Sequence, residues 1–200
     1  MNVNNISITD VSVDSATNAL NVVDYAHHEI HGGSSFTVHI DNITANTDDH
    51  RTLLGFETPA GTKWAHFTME VSASSAAEAF FYEGVTIDDG EGTEITIEDR
   101  NRNTDNTSTM TSFENPAVAG LATWMLEAEV AAANFGTGTT LDHIFLVGGD
   151  GPKAVGGDSR SEQEWVLAAA TKYAIVVQNI GASTNNHGIH LNWYEHTNAG

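Results

Sequence analysis

Side chains along this sequence take turns. Phe36, Val38 and Ile40 share one parity, with Thr37 and His39 on the other. Ala65, Phe67, Met69 and Val71 alternate with Trp64, His66, Thr68 and Glu70. Ile95 and Ile97 alternate with Thr96 and Glu98, and Tyr173, Ile175 and Val177 follow the same rule, as do Ile189, Leu191 and Trp193. A period of two sends neighbouring side chains to opposite faces of an extended backbone. One parity then reaches a core and the other reaches solvent or a second layer. The runs are short and rich in β-branched and aromatic residues. Gly, Asn, Asp and Ser clusters separate them, as at Asp88 to Gly92, Gly148 to Asp158 and Gly181 to Gly188. About eight to ten strands fit this spacing, enough for two packed sheets. The expected fold is all-β, an antiparallel β-sandwich of jelly-roll-like form.

Two segments resist this pattern. Ser72 to Ala79 and Leu121 to Asn134 are rich in alanine, which favours helix. In the second, Leu121, Trp124, Met125 and Ala128 fit a helical stripe. Trp124, Leu126, Ala128 and Val130 also fit an alternating strand with Glu127 and Glu129 outward, and the neighbouring strands favour that choice. Residues 1–20 carry only sparse apolar points, Val3, Ile6, Ile8, Val11 and Val13, so they are expected to form an amino-terminal arm or edge strand. Residues 21–200 are expected to form the sandwich domain. Two hundred residues suit one domain with a core that needs neither metal nor disulfide.

Charge narrows the working conditions. Twenty-seven acidic residues face seven basic ones, of which three are lysine (Lys63, Lys153, Lys172), for a net charge of -20. Such a surface repels itself at low ionic strength. In molar salt the screening length falls to about 3 Å and most of that repulsion disappears. The acidic excess and scarce lysine fit a halophilic protein; the plainer alternative is a moderately acidic mesophilic one. Nucleic acid is not an expected partner, because Arg51, Arg100, Arg102 and Arg160 are too few and too scattered for a phosphate-binding patch. No membrane partner is expected either, since no stretch approaches the roughly 18 apolar residues of a span. Met1 to Val13 has neither the basic cluster nor the apolar run of a secretory signal. The absence of cysteine removes disulfides, thiol catalysis and zinc–thiolate sites.

Few residues suggest chemistry. In a strand, His27, Glu29 and His31 would face one way and place two imidazoles and a carboxylate around one cation. Their spacing departs from the zinc-protease helix motif, and the plainer alternative is a polar strand end beside Gly32-Gly33. His187, His190 and His196 form a second group, in which His190, Asn192, Tyr194 and His196 share a parity opposite Leu191 and Trp193. A polar face of this kind is more often a surface or subunit contact than a sugar or metal site. Asp88 to Gly92 lacks the frame of a helix-loop-helix calcium loop. Gly148-Gly149-Asp150-Gly151 begins a calcium nonapeptide that occurs once and does not stack. Carboxylate pairs such as Asp48-Asp49 carry little weight among so many acids. No nucleophile elbow, phosphate loop or complete dinucleotide fingerprint is present, so no catalytic residue and no cofactor is assigned.

Several blocks carry a resemblance. They are Asp99-Arg100-Asn101-Arg102-Asn103, Ser159 to Leu167, Lys172 to Asn179, the closing Ile189 to His196, and His31 to Val38 upstream. Over residues 22–196 the chain resembles a family of small virion structural proteins of tailed viruses. The resemblance implies a β-sandwich displayed on the capsid surface as a decoration, turret or spike, without enzymatic activity. It also implies major capsid or other virion proteins, and further copies of the chain, as partners. Joined to the acidic surface, it suggests the virus of a halophilic archaeal host.

From the residues alone, aromatics on the outward parities are the candidates for contacts in a homo-oligomer: Trp64, His66, Phe80, Tyr82, His190, Tyr194 and His196. If both parities are buried in a thick sandwich, those aromatics are simply core. Two other functions compete with the structural one. The first is a carbohydrate-binding module, with aromatics stacked on sugar and an acidic turn holding calcium. The second is a metal enzyme built on His27, Glu29 and His31.

Overall fold

The computed structural model describes residues 25–46, 50–85, 93–114, 125–126, 138–147, 164–181 and 184–197. A short helix, α1 (Tyr25–His31), leads into β1 (Ser35–Asn46), β2 (His50–Glu57), β3 (Lys63–Ala73) and β4 (Ala77–Glu83). Next come β5 (Thr93–Glu94), β6 (Glu98–Asp99), β7 (Thr111–Glu114), β8 (Met125–Leu126) and β9 (Thr139–Leu146). The chain continues through β10 (Trp165–Val166), β11 (Lys172–Asn179) and β12 (Asn185–Thr197). Four of these twelve strands, β5, β6, β8 and β10, are two residues long, so the longer ones match the number the alternation predicts.

The strands form two antiparallel sheets packed face to face. One has five strands in the order β10-β3-β12-β1-β6; the other has seven, ordered β5-β7-β2-β11-β4-β9 with β8 also on β2. Among the described residues no strand pairs with its neighbour in sequence. Successive strands β1 to β4 alternate between the sheets. β11 then inserts between β2 and β4, and β12 between β3 and β1. The last two strands are therefore central to both layers.

The predicted parities hold. Phe36, Val38, Ile40, Ala65, Phe67, Val71, Ile189, Leu191 and Trp193 line the inner face of the five-stranded sheet and are buried. Leu54, Phe56, Ala77, Ala79, Phe81, Tyr173, Ile175 and Val177 face them from the other sheet. Phe67 meets Phe56 and Phe81 across the layers, with ring centroids 5.4 and 5.5 Å apart. Tyr173 stacks between Phe56 and Phe81 at 5.4 and 5.6 Å. Offset pairs of this kind add about 0.5–1.5 kcal/mol each beyond the area they bury. In the middle of the seven-stranded sheet the opposite parity is buried as well, at Leu53, Ala174 and Val176. Tyr82 and Val85 pack on Ala174 there. The continuous apolar run Tyr173 to Val177 records that two-sided burial.

Local differences from the sequence expectations have physical causes. Ser72 to Ala79 holds the end of β3 and the start of β4, and Ala77 and Ala79 serve as small inward residues of the core. Of Leu121 to Asn134, Met125–Leu126 is a strand paired with β2, and the remainder lies outside the described residues. Ile95 to Ile97 is not a strand. It links β5 of one sheet to β6 of the other, and both isoleucines pack partly buried against the core.

The expected strand at His27 to His31 is corrected to helix. Ala26, Glu29, Ile30 and Gly33 recur at helical spacing and are buried or half-buried, whereas His27, His28 and His31 are exposed. Tertiary burial of that stripe decides the conformation. Gly33, at a φ of 70° that side chains other than glycine rarely adopt, ends the helix. The Gly32, Gly33 and Ser34 N–H groups donate back to the carbonyls of His28, Ile30 and Glu29. The predicted arm, residues 1–20, lies outside the described residues.

Candidate functional site

The outward parity of the five-stranded sheet builds one continuous polar and aromatic face. Strand register sets His39 beside His190, Thr68 beside Asn192, His66 beside Tyr194 and Trp64 beside His196. His66 and Tyr194 stack with centroids 4.6 Å apart and an 11° interplanar angle, and the His66 and His196 rings lie 4.4 Å apart. The two Nε2 atoms of His66 and His196 approach to 2.6 Å. His66 Nδ1 lies 3.2 Å from Glu164 Oε1, and His196 Nδ1 lies 3.2 Å from the Thr197 carbonyl oxygen. Burial pushes His66 below the usual imidazole range; the Glu164 carboxylate pulls it back up, and His196 pushes it further down.

Beside these rings a cleft encloses about 340 Å³, part of it open to solvent, with Ser35, Arg100, Glu164, Asn192 and Tyr194 in its walls. The loop after β6 closes one side. Asp99, buried, accepts hydrogen bonds from the Asn101 N–H and the Thr104 hydroxyl. Asn101 Nδ2 donates to the His31 carbonyl and Asn106 Nδ2 to the Gly33 carbonyl. The Arg-Asn-Arg-Asn segment is thus a clasp on the turn between α1 and β1. Arg100 Nη1 reaches Ser35 Oγ at 3.4 Å, and Arg102 pairs with Glu98 one turn back.

The inner parity of β12 holds two further ionisable groups. His187 is 2% exposed, with Nδ1 3.0 Å from Thr52 Oγ1, and burial pushes its pKa down to about 4. The structure therefore separates His187 from His190 and His196, with which the sequence grouped it. Glu195 is also buried. Its carboxylate accepts from Trp193 Nε1 at 3.1 Å, from the Thr109 N–H, and from the Ser108 and Thr109 hydroxyls. Tyr173 donates to Glu83 and accepts from the Ala168 N–H, and burial raises its phenol well above the ordinary range.

The seven contact candidates divide between opposite sides of the sandwich. Trp64, His66, His190, Tyr194 and His196 lie on the outer face of the five-stranded sheet; Phe80 and Tyr82 lie on the outer face of the other. There Phe80 stacks on His143 at 4.3 Å, and His143 lies 4.5 Å from Phe145. Phe145 and Val147, at the edge of that sheet, are 61% and 69% exposed. The proposed cation trio does not assemble. His27 and His31 meet on the exposed side of α1, Nε2 to Nε2 at 2.9 Å, while Glu29 faces inward. Helical geometry separates positions two apart by about 200°, so the carboxylate points away from both rings. Among the described residues no group of three or more His, Asp or Glu side chains is placed to hold a metal ion. The Asp48-Asp49, Asp88 to Gly92 and Gly148 to Gly151 segments lie outside the described residues.

Glu164, Arg100, His143 and Phe145 were missed from the sequence. Glu164 precedes a two-residue strand with no periodicity to flag it, and the sequence offers Arg100 for its charge and within the resemblance block but gives it no site role. The alternation of His143 and Phe145 with Leu146 and Ile144 was a usable signal. No described helix is long and apolar enough to cross a membrane. No family model, curated protein or solved structure matches this chain.

Proposed function

We propose that this chain is a non-enzymatic structural protein of a tailed-virus head, a homo-oligomeric decoration, turret or spike component on the capsid surface. The observation that carries the assembly part is the edge at β9, where Phe145 and Val147 are exposed and His143 stacks on Phe80 of the neighbouring β4. An exposed aromatic strand edge invites pairing with another chain. Aromatic anchors also dominate interface energetics. With a net charge of -20, self-association would be opposed at low salt and permitted once salt screens the surface. The virion part is supported by the sequence resemblance over residues 22–196, and the acidic surface supports a halophilic host.

Light scattering on size-fractionated protein in molar salt tests the assembly. One discrete oligomer is expected, reduced to monomer by Phe145→Glu. A monomer at every salt concentration would overturn it. Neighbouring genes for a major capsid protein, a portal or a tail tube would place the chain in a virion, and their absence would count against that.

A carbohydrate-binding module is the second reading, favoured by one observation. The cleft face combines stacked His66 and Tyr194 rings and the half-exposed Trp64 with the polar Thr68 and Asn192. Glycan-array binding abolished by Tyr194→Ala would support this reading; an unchanged array would remove it.

A further inference from the structure

We propose that His66 and His196 form a two-imidazole site for a divalent transition-metal ion on the outer face of the five-stranded sheet, with Glu164 as its outer support. The proposal begins with proton positions. His66 Nδ1 faces a carboxylate oxygen and His196 Nδ1 faces a backbone carbonyl, each at 3.2 Å. Such oxygens only accept, so both rings carry their proton on Nδ1. That leaves a lone pair on each Nε2, and these two atoms face each other at 2.6 Å. Two lone pairs at that separation repel unless an electrophile lies between them. A proton shared by the rings or a metal ion can fill that role.

The surroundings favour the metal. A carboxylate behind a ligating imidazole is the usual outer partner of a metal-bound histidine; it fixes the tautomer and raises the donor strength of the far nitrogen. Glu164 holds that place behind His66. Both rings stand on adjacent, directly paired strands, and Tyr194 stacks on His66, so the two nitrogens are held rather than tethered. Two metal–imidazole bonds of about 2.0–2.1 Å at the tetrahedral angle zinc adopts set the nitrogens roughly 3.3 Å apart, so the rings need to open by about 0.7 Å from their present separation. Two imidazoles with open positions for water suit zinc, copper or nickel rather than calcium or magnesium. The pair His27 and His31 is less well prepared, since it lies on the exposed side of a seven-residue helix.

The test is a zinc titration of the full chain in molar salt near neutral pH, followed by calorimetry and by imidazole nitrogen resonances. One equivalent should bind and shift the Nε2 signals of His66 and His196 together. His196→Gln should abolish that binding, and Glu164→Gln should weaken it about 10–100-fold. The double variant His27→Gln, His31→Gln should leave it in place. Melting curves without metal show whether each variant folds; should His196→Gln fail to fold, the wild-type resonances decide alone. The proposal is overturned if the wild type binds no zinc, if zinc leaves those two Nε2 signals unmoved, or if binding survives in folded His196→Gln.

Discussion

His187 should make the fold sensitive to acid. Its ring is 2% exposed between the two sheets, and burial lowers its pKa from 6.5 to about 4. The unfolded chain therefore binds a proton at this residue over a pH range where the folded chain does not. By linkage, stability is fully present above the unfolded value of 6.5 and falls as pH drops toward the folded value of about 4. At 1.36 kcal/mol per unit, the full loss is roughly 3.4 kcal/mol, with about 2 kcal/mol already gone near pH 5. Replacing His187 with Asn keeps a polar atom near the Thr52 hydroxyl and removes the titration. Urea unfolding should be followed for both proteins near pH 7 and near pH 5, in molar salt so that the acidic surface is screened alike. The wild type should lose about 2 kcal/mol more than His187→Asn between the two conditions. His66 is also depressed and adds a slope of the same sign to both proteins, so the difference between them is the readout. Equal losses would refute the account of a neutral, desolvated His187.

Lowering ionic strength below about 0.1 M should reduce the melting temperature, because the screening length then exceeds roughly 10 Å and the acidic surface repels itself; an unchanged melting point would remove the halophile inference. Glu195→Ala should destabilise by on the order of 3 kcal/mol in chemical denaturation, since it strands Trp193 Nε1 in the interior and removes the acceptor of the Ser108 and Thr109 hydroxyls; a loss within a few tenths would show that water replaces the carboxylate. Refolding should take milliseconds to seconds in stopped-flow fluorescence, because every described strand pairs with one distant in sequence; microsecond refolding would contradict that topology as the rate-limiting feature.

Much of the fold was legible because a half-buried strand writes its two environments into alternate residues. Phe36 to Ile40, Ala65 to Val71 and Ile189 to Trp193 all face as their parity requires. The rule failed where local sequence admits two periods. His27 to His31 alternates acceptably as a strand, yet Ala26, Glu29 and Ile30 are buried only as a helix. The candidate site was half legible. Parity placed Tyr194 and His196 on one face, but it could not bring Glu164 behind His66 across nearly a hundred residues of chain.

Residue order by itself determined where the long strands run and which of their side chains turn inward, because these depend on neighbours one or two positions away, and composition set the acidic charge. Tertiary structure alone decided the partners. β11 and β12 enter the centres of two sheets begun by strands far upstream, and His187 and Glu195 are drawn inside although both are polar. Strand pairing joins backbone groups that are chemically alike in every strand. The choice among partners is therefore made by how whole faces fit, by Phe67 against Phe56 and Phe81, and by the acceptor that Glu195 offers to Ser108 and Thr109. Those contacts exist only once both layers have closed.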